Sequence, residues 1–154
     1  MVAVKMKPEL DEKLCQDFPN LYRERHGSAN NTSMCWGFDI QDGWYDLLYE
    51  VSAKLEALIL QLPEEERKEY CAAQVKEKFG ALRLYLESGT KEMYELVRAA
   101  ETKSANVCEE CGQLGVRRSG GWIKTRCDDC HRKEQLGKQV GIANMLAKKR
   151  EQAK

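Results

Sequence analysis

The sequence predicts an α+β fold: a long amphipathic helix packed on a small β-sheet, followed by a four-cysteine zinc module of zinc-ribbon or treble-clef-like type and a basic C-terminal helix. Three observations predict it. Trp44, Leu48, Val51, Leu55, Leu58, Ile59 and Leu62 recur at three- and four-residue steps, the period of a helix with one buried side. The period then falls to two: Val75 and Phe79 alternate with Lys76 and Lys78, and Leu82, Leu84 and Leu86 with Arg83, Tyr85 and Glu87, as strands with one covered face require. Finally, Cys108-x-x-Cys111 and Cys127-x-x-Cys130 are separated by fifteen residues, a spacing that suits a tetrahedral zinc ion.

From the N-terminus, Pro8 suits a first helical turn, and Leu10, Leu14 and Phe18 share a face before Pro19 stops the run. Residues 21–33 are polar, with Gly27, Ser28, Asn30, Asn31 and Thr32 clustered, and read as a loop. Asp42 is placed to cap the long helix by accepting amide hydrogens of its first turn. That helix is expected over residues 43–62, about 30 Å long, with Pro63 ending it. Trp36, Phe38, Trp44 and Tyr45 are expected in the core, and any of them left exposed would offer a stacking surface.

Residues 63–69 form a charged turn. Beyond it, either two short strands meet at Gly80 or one strand bends there at a bulge. One face is expected against the long helix. The other carries Lys76, Lys78, Arg83 and Tyr85, as an ordinary wet face or as a small basic and aromatic binding surface. Thr90 can cap a further helix with Met93, Leu96, Val97 and Ala100 on one side.

In the cysteine module, Gly112 relieves the turn after the first pair, and 115–118 can pair with 122–126 across Ser119-Gly120-Gly121. Four thiolates leave no open position for water or substrate, so a structural zinc ion is expected. The tail beyond Arg132 is helix-prone, though Gly137 and Gly141 weaken its middle. Its stripe of Val140, Ile142, Met145 and Leu146 suits docking on the core or on a second subunit, which leaves a homodimer open; its last residues, 148–154, are expected to fray. The organisation read from these signals is an α+β core over 1–105, the zinc module over 106–135 and a basic helical tail over 136–154.

Composition sets the outer bounds. The 154 residues suffice for one domain, or one small domain and a zinc module. With 25 basic and 25 acidic residues the chain offers no global electrostatic argument for nucleic acid. The distribution is uneven, however: eight acids and three bases from Asp42 to Glu69, against seven bases and two acids from His131 to Lys154. Seven cysteines, an odd number, with neither a signal peptide nor a long apolar run, point to a reducing cytoplasm and away from a membrane.

Enzyme chemistry finds little support. There are two histidines, His26 and His131, and neither a Gly-x-x-x-x-Gly-Lys loop nor a Ser-His-Asp set can be assembled. A deaminase would need a His-x-Glu or Cys-x-Glu element ahead of the Cys-x-x-Cys pair. Cys35 or Cys71 beside His26 is a conceivable nucleophile, Asp39 with Asp42 a conceivable acid pair, and Cys15, His26 and Cys35 a conceivable second metal site, but the spacings match no ligand pattern.

Two resemblances add to this reading. The run Phe18-Pro-Asn-Leu, Trp36-Gly-Phe, Asp42-Gly-Trp-Tyr45, Gln74-Val-Lys-Glu-Lys-Phe-Gly80, Leu82-Arg-x-Tyr85 and Cys108-x-x-Cys111 resembles a family of uncharacterised zinc-binding proteins encoded by bacteriophages and prophages. It covers most of the chain, and departs where members often carry Cys-Gly ahead of Asp-Gly-Trp: Ile40 and Gln41 stand here. The resemblance implies a mobile-element setting inside a bacterial cell and no activity. Residues 108–130 alone are similar to the zinc finger of the DksA/TraR-type regulators that bind RNA polymerase, although the acidic helical hairpin of those proteins has no counterpart here.

The expected function is therefore binding without catalysis: a phage-type accessory protein that contacts a host bacterial protein to modulate transcription or to inhibit an anti-phage defence system. Contact is expected at the zinc hairpin, through Arg117, Arg118, Trp122, Lys124 and Arg126, with Trp122 as the anchor. A nucleic-acid-binding regulator using the same basic residues and the tail is the alternative, and a nuclease or other hydrolase a third.

Overall fold

The computed structural model describes residues 5–153 and is an α+β protein. Helix α1 spans Pro8–Asp17, strand β1 Phe38–Asp39, helix α2 Tyr45–Leu60, strands β2 and β3 Ala72–Lys78 and Ala81–Leu86, and helix α3 Lys91–Ser104. Strands β4, Val116–Arg118, and β5, Lys124–Arg126, then lead into helix α4, Asp128–Gln152.

The helix expected over residues 43–62 is α2, and it is shorter than its periodicity suggests. A 3-10 turn occupies Asp42–Trp44, and Trp44 stands ahead of the first helical turn without a side-chain cap. Asp42 caps a different chain segment: its carboxylate accepts the backbone N–H of Lys7 at 2.9 Å, immediately before α1. Leu48, Val51, Leu55 and Ile59 of α2 are buried together with Leu14, Leu21, Trp44, Val75, Leu82, Leu84 and Met93. Each such side chain contributes about 1.5–3 kcal/mol of burial.

Two polar groups fix the segment after α1. The carboxylate of Glu56, on the buried side of α2, accepts from the amides of Asn20 at 3.1 Å and Leu21 at 2.8 Å and from Asn20 Nδ2 at 2.8 Å. The buried Tyr22 hydroxyl shares a 2.6 Å hydrogen bond with Ser52. The stretch read as a polar loop thus begins with two core residues, Leu21 and Tyr22.

The sheet has the order β1-β2-β3, with β1 parallel to β2 in the register Phe38↔Val75 and β2 antiparallel to β3. Two strands meet at Phe79-Gly80, whose φ values of 53° and 79° are both left-handed, as in a type I′ hairpin turn. Phe79 therefore leaves the sheet and is 60% exposed, whereas strict alternation assigns it to the covered face. The free edge of β3 is capped by α3: Leu82 N–H donates to Ser104 Oγ at 2.9 Å and Leu84 N–H to Glu101 Oε1 at 3.2 Å, which satisfies donors that an open edge would present to other chains. Thr90 caps α3 as expected, accepting from Met93 N at 3.3 Å.

Of the four aromatic residues between 36 and 45, Phe38 and Trp44 are core and Tyr45 packs at its margin, while Trp36 is exposed. Helix α4 is the least embedded element. Every residue from 135 to 153 is exposed, so the apolar stripe of the tail does not dock on the core, and the helix continues through Gln152 where fraying is expected from residue 148. Lys154, the last residue of the predicted tail, lies outside the described residues. A Cβ at Gly137 or Gly141 would meet nothing within 4 Å, so neither glycine answers a need within this chain, and each costs the helix about 1 kcal/mol relative to alanine. Among the described residues no helix is long and apolar enough to cross a membrane.

Candidate metal centre

The first cysteine pair lies in a knuckle shaped by backbone hydrogen bonds. Gly112 N–H donates to Cys108 C=O at 2.9 Å, and Cys108 N–H to Gln113 C=O at 2.7 Å. Gly112 holds φ at 79°, which glycine adopts without strain. The second pair is built differently, at the start of α4. Cys127 is the N-cap, and its sulfur accepts from the amide of Cys130 at 3.4 Å. A loop knuckle facing a helix N-terminus is a treble-clef-like arrangement.

The two knuckles bring Cys108, Cys111, Cys127 and Cys130 together, with all four sulfurs within 4.8 Å of one another. Cys111 Sγ and Cys127 Sγ are 3.6 Å apart, too far for a disulfide, and all seven cysteines are free. Cys108 and Cys130 are buried, Cys127 is intermediate and Cys111 exposed, so the cluster sits at the rim of the protein. The amide of Cys130 draws the Cys127 thiol down to about 7, while burial pushes Cys111 and Cys130 up. An electropositive helix start facing clustered sulfur can hold a metal ion. Among the described residues no other group of three or more His, Cys, Asp or Glu side chains is so placed; Cys15, His26 and Cys35 form none.

The first knuckle is mounted on the core by the turn that precedes α2. Gly43 N–H donates to Glu109 C=O at 2.7 Å, and Trp44 Nε1–H to Val107 C=O at 2.7 Å. A Cβ at Gly43 would stand 2.3 Å from Cys108 O and 2.5 Å from Glu109 O. Only glycine permits that approach. Asp42-Gly43-Trp44 is thus a cradle for the knuckle, and the sole sequence signal for it is a glycine beside a tryptophan. Glu109 is buried there, its carboxyl pushed up to about 7 by burial and by Glu77, against the pull of Arg126.

The β4–β5 hairpin forms, shorter than its predicted span, with Arg117 opposite Thr125 and Arg118 opposite Lys124. Thr125 is buried, and its hydroxyl donates to Gly80 C=O at 2.5 Å, joining this hairpin to the turn of the β2–β3 hairpin. The residues expected to touch a partner divide sharply. Arg126 is 4% exposed and its guanidinium pairs with Glu110, so it braces the module from within and is not a surface contact. Lys124 is half-buried and bound to Glu134 at 2.5 Å; Arg118 is held by Arg126 C=O and by Asp128 at 2.6 Å. Arg117 remains on the surface. Trp122 is 71% exposed, with its Nε1–H donating to Glu77 at 3.3 Å. Leu114, Val116 and Phe79 add exposed apolar surface, and periodicity alone hides Phe79.

No protein-family model, curated protein or solved structure matches the chain.

Proposed function

We propose that this chain is a non-enzymatic, zinc-stabilised accessory protein of phage type that contacts a host bacterial protein through the joined tips of its two hairpins, to modulate transcription or to inhibit an anti-phage defence system. Zinc is the ion that fits best. A tetrahedron with sulfur arms of about 2.3 Å has edges of about 3.8 Å, close to the 3.6 Å between Cys111 and Cys127. With four thiolate ligands the ion has no place for substrate, and its task is to fix backbone.

The observation that carries the reading is Trp122, 71% exposed on a hairpin whose strands run into two cysteine knuckles. An aromatic held in the open on a rigid support is the kind of side chain that dominates protein interfaces. Phe79 lies on the neighbouring turn, bound to the same hairpin through Thr125. The bacterial setting rests on the resemblance of the Asp-Gly-Trp-Tyr and Gln-Val-Lys-Glu-Lys-Phe-Gly motifs to phage-encoded proteins.

Affinity capture from bacterial lysate with the zinc-loaded chain, alongside its Trp122→Ala/Phe79→Ala variant, tests the proposal. A host protein retained by the parent chain at high salt and lost by the variant is the expected result. Capture unchanged by the variant would refute it. The nucleic-acid alternative draws on Arg117 and on Lys148, Lys149 and Arg150 at the basic end of α4, and four such phosphate contacts predict affinity falling about 10²-fold between about 50 and 200 mM salt.

A further inference from the structure

Val75, Leu82 and Leu84 make the buried side of the three-stranded sheet, and Gln74, Lys76, Arg83 and Tyr85 stand on its other side. Where that side meets residues 29–33, at the opposite end of the β2–β3 hairpin from Phe79, the chain leaves an open cleft of about 330 Å³. A β-bulge between Ala72 and Gln74 borders it, a device that re-aims side chains beside binding sites. The loop across from the bulge is held by its own backbone, since the amides of Asn31 and Thr32 both donate to Ser28 C=O, at 2.9 and 3.0 Å. Ala29 and Ala73 line the cleft without filling it.

The fold does not use the polar groups gathered there. Among the described residues, the side chains of Asn30, Asn31, Gln74, Tyr85 and Glu87 make no hydrogen bond or ion pair within the protein. Thr32 is 7% exposed, and its hydroxyl accepts from Met34 N–H at 3.1 Å with its own hydrogen left to donate. Charge is almost absent. Among the described residues no lysine, arginine or histidine lines the cleft, and Glu87 is its one ionised group. The next bases along the sheet are countered, with Asp39 opposite Lys76 and Glu101 3.8 Å from Arg83. A phosphate or a nucleic-acid backbone would find no cation to replace its counterions. Tyr85 apart, the apolar lining is alanine, which offers no wall to an aliphatic ligand.

We propose that this cleft binds a neutral sugar ring, with the C–H face of the ring on Tyr85 and its hydroxyls on Asn30, Asn31 and Gln74. Side-chain amides donate and accept at once, as do hydroxyls, so the two match group for group without any charge. Tyr85, 41% exposed and opposite Gln74 in the strand register, sets an aromatic face beside those amides. Glu87 supplies a further acceptor. The site is separate from the hairpin tips, and stands whether or not they hold a partner protein.

Amide NMR of the full metal-loaded chain, titrated into the millimolar range with glucose, galactose, mannose, N-acetylglucosamine and their disaccharides, tests the proposal. Saturable shifts confined to residues 29–33 and 73–87 are expected with at least one of these sugars. Tyr85→Ala should abolish them. Gln74→Ala should weaken binding about fivefold, the loss of one neutral hydrogen bond, and gives an independent readout if Tyr85→Ala does not fold. Glu87→Gln, which keeps an acceptor and removes the charge, should still bind. No saturable shift with any of these sugars, a Tyr85→Ala or Gln74→Ala variant that binds as the parent does, or abolition of binding by Glu87→Gln, the mark of a cation-dependent site, would each overturn the proposal.

Discussion

The amide of Gly43 donates to the carbonyl of Glu109 at 2.7 Å, across sixty-six residues of chain, and the two backbones touch with no side chain between them. This contact ties the turn that begins α2 to the knuckle that carries Cys108 and Cys111. A substitution far from any cysteine should therefore loosen the metal site. Gly43→Ala is expected to destabilise the protein by about 3 kcal/mol or more, as a clash inside packed backbone does, and to speed release of zinc to a chromogenic chelator. Unchanged release, measured beside thermal unfolding, would separate the cradle from the site.

Removal of metal should be felt unevenly. Treatment with a strong chelator, or the Cys111→Ser substitution, is expected to abolish binding of one zinc per chain and to expose residues 106–135 to hydrogen exchange. The core formed by α2, β2, β3 and α3 has its own buried residues and should keep its protection. Uniform loss across the chain would show that metal and core fold as one unit.

Glu56 offers a test of buried charge. Three N–H groups of Asn20 and Leu21 point at its carboxylate. Glu56→Ala leaves the buried Leu21 amide without its acceptor, at about 1–3 kcal/mol for the unmet donor beyond the loss of packing. Glu56→Gln, which retains one acceptor oxygen, should fall between the two in urea unfolding. A glutamine variant as stable as the parent would mean that shape alone matters there.

Thiol labelling should be selective. Burial pushes Cys15 and Cys71 up to about 11, so at about pH 8 only about one part in a thousand of each is thiolate, against roughly a quarter of an unperturbed thiol. With a metal ion on the four clustered cysteines, iodoacetamide is expected to modify Cys35 ahead of Cys15 and Cys71, and all seven only in denaturant with chelator. Reactivity at Cys71 should rise as pH approaches 11, because its folded form binds the proton more tightly than the open chain does. Labelling of Cys71 as fast as Cys35 near neutrality would contradict its burial.

What can be read from the chain alone is local. The cysteine spacing, the Thr90 cap and the helical period of α2 each depend on residues within a few positions, and each appears in the structure. Contacts between distant segments leave almost no trace. Asp42 satisfies the usual pattern of a helix cap yet serves Lys7, thirty-five positions away. Glu56 resembles any solvent-facing acid until Asn20 and Leu21 are placed beside it. Arg126 reads as a surface base, and the fold closes over it. Phe79 escapes because alternation runs one residue past the end of its strand, where a two-residue turn reverses the chain.

In the proposed contact, the hydroxyl of Thr125 on the carbonyl of Gly80 couples the turn of Phe79 to the hairpin of Trp122, so that the two side chains would act as prongs of one plug. Adaptation to a new socket would then proceed by exchanging the side chains on the prongs. A residue added to either loop would instead lift threonine from glycine and let the prongs drift.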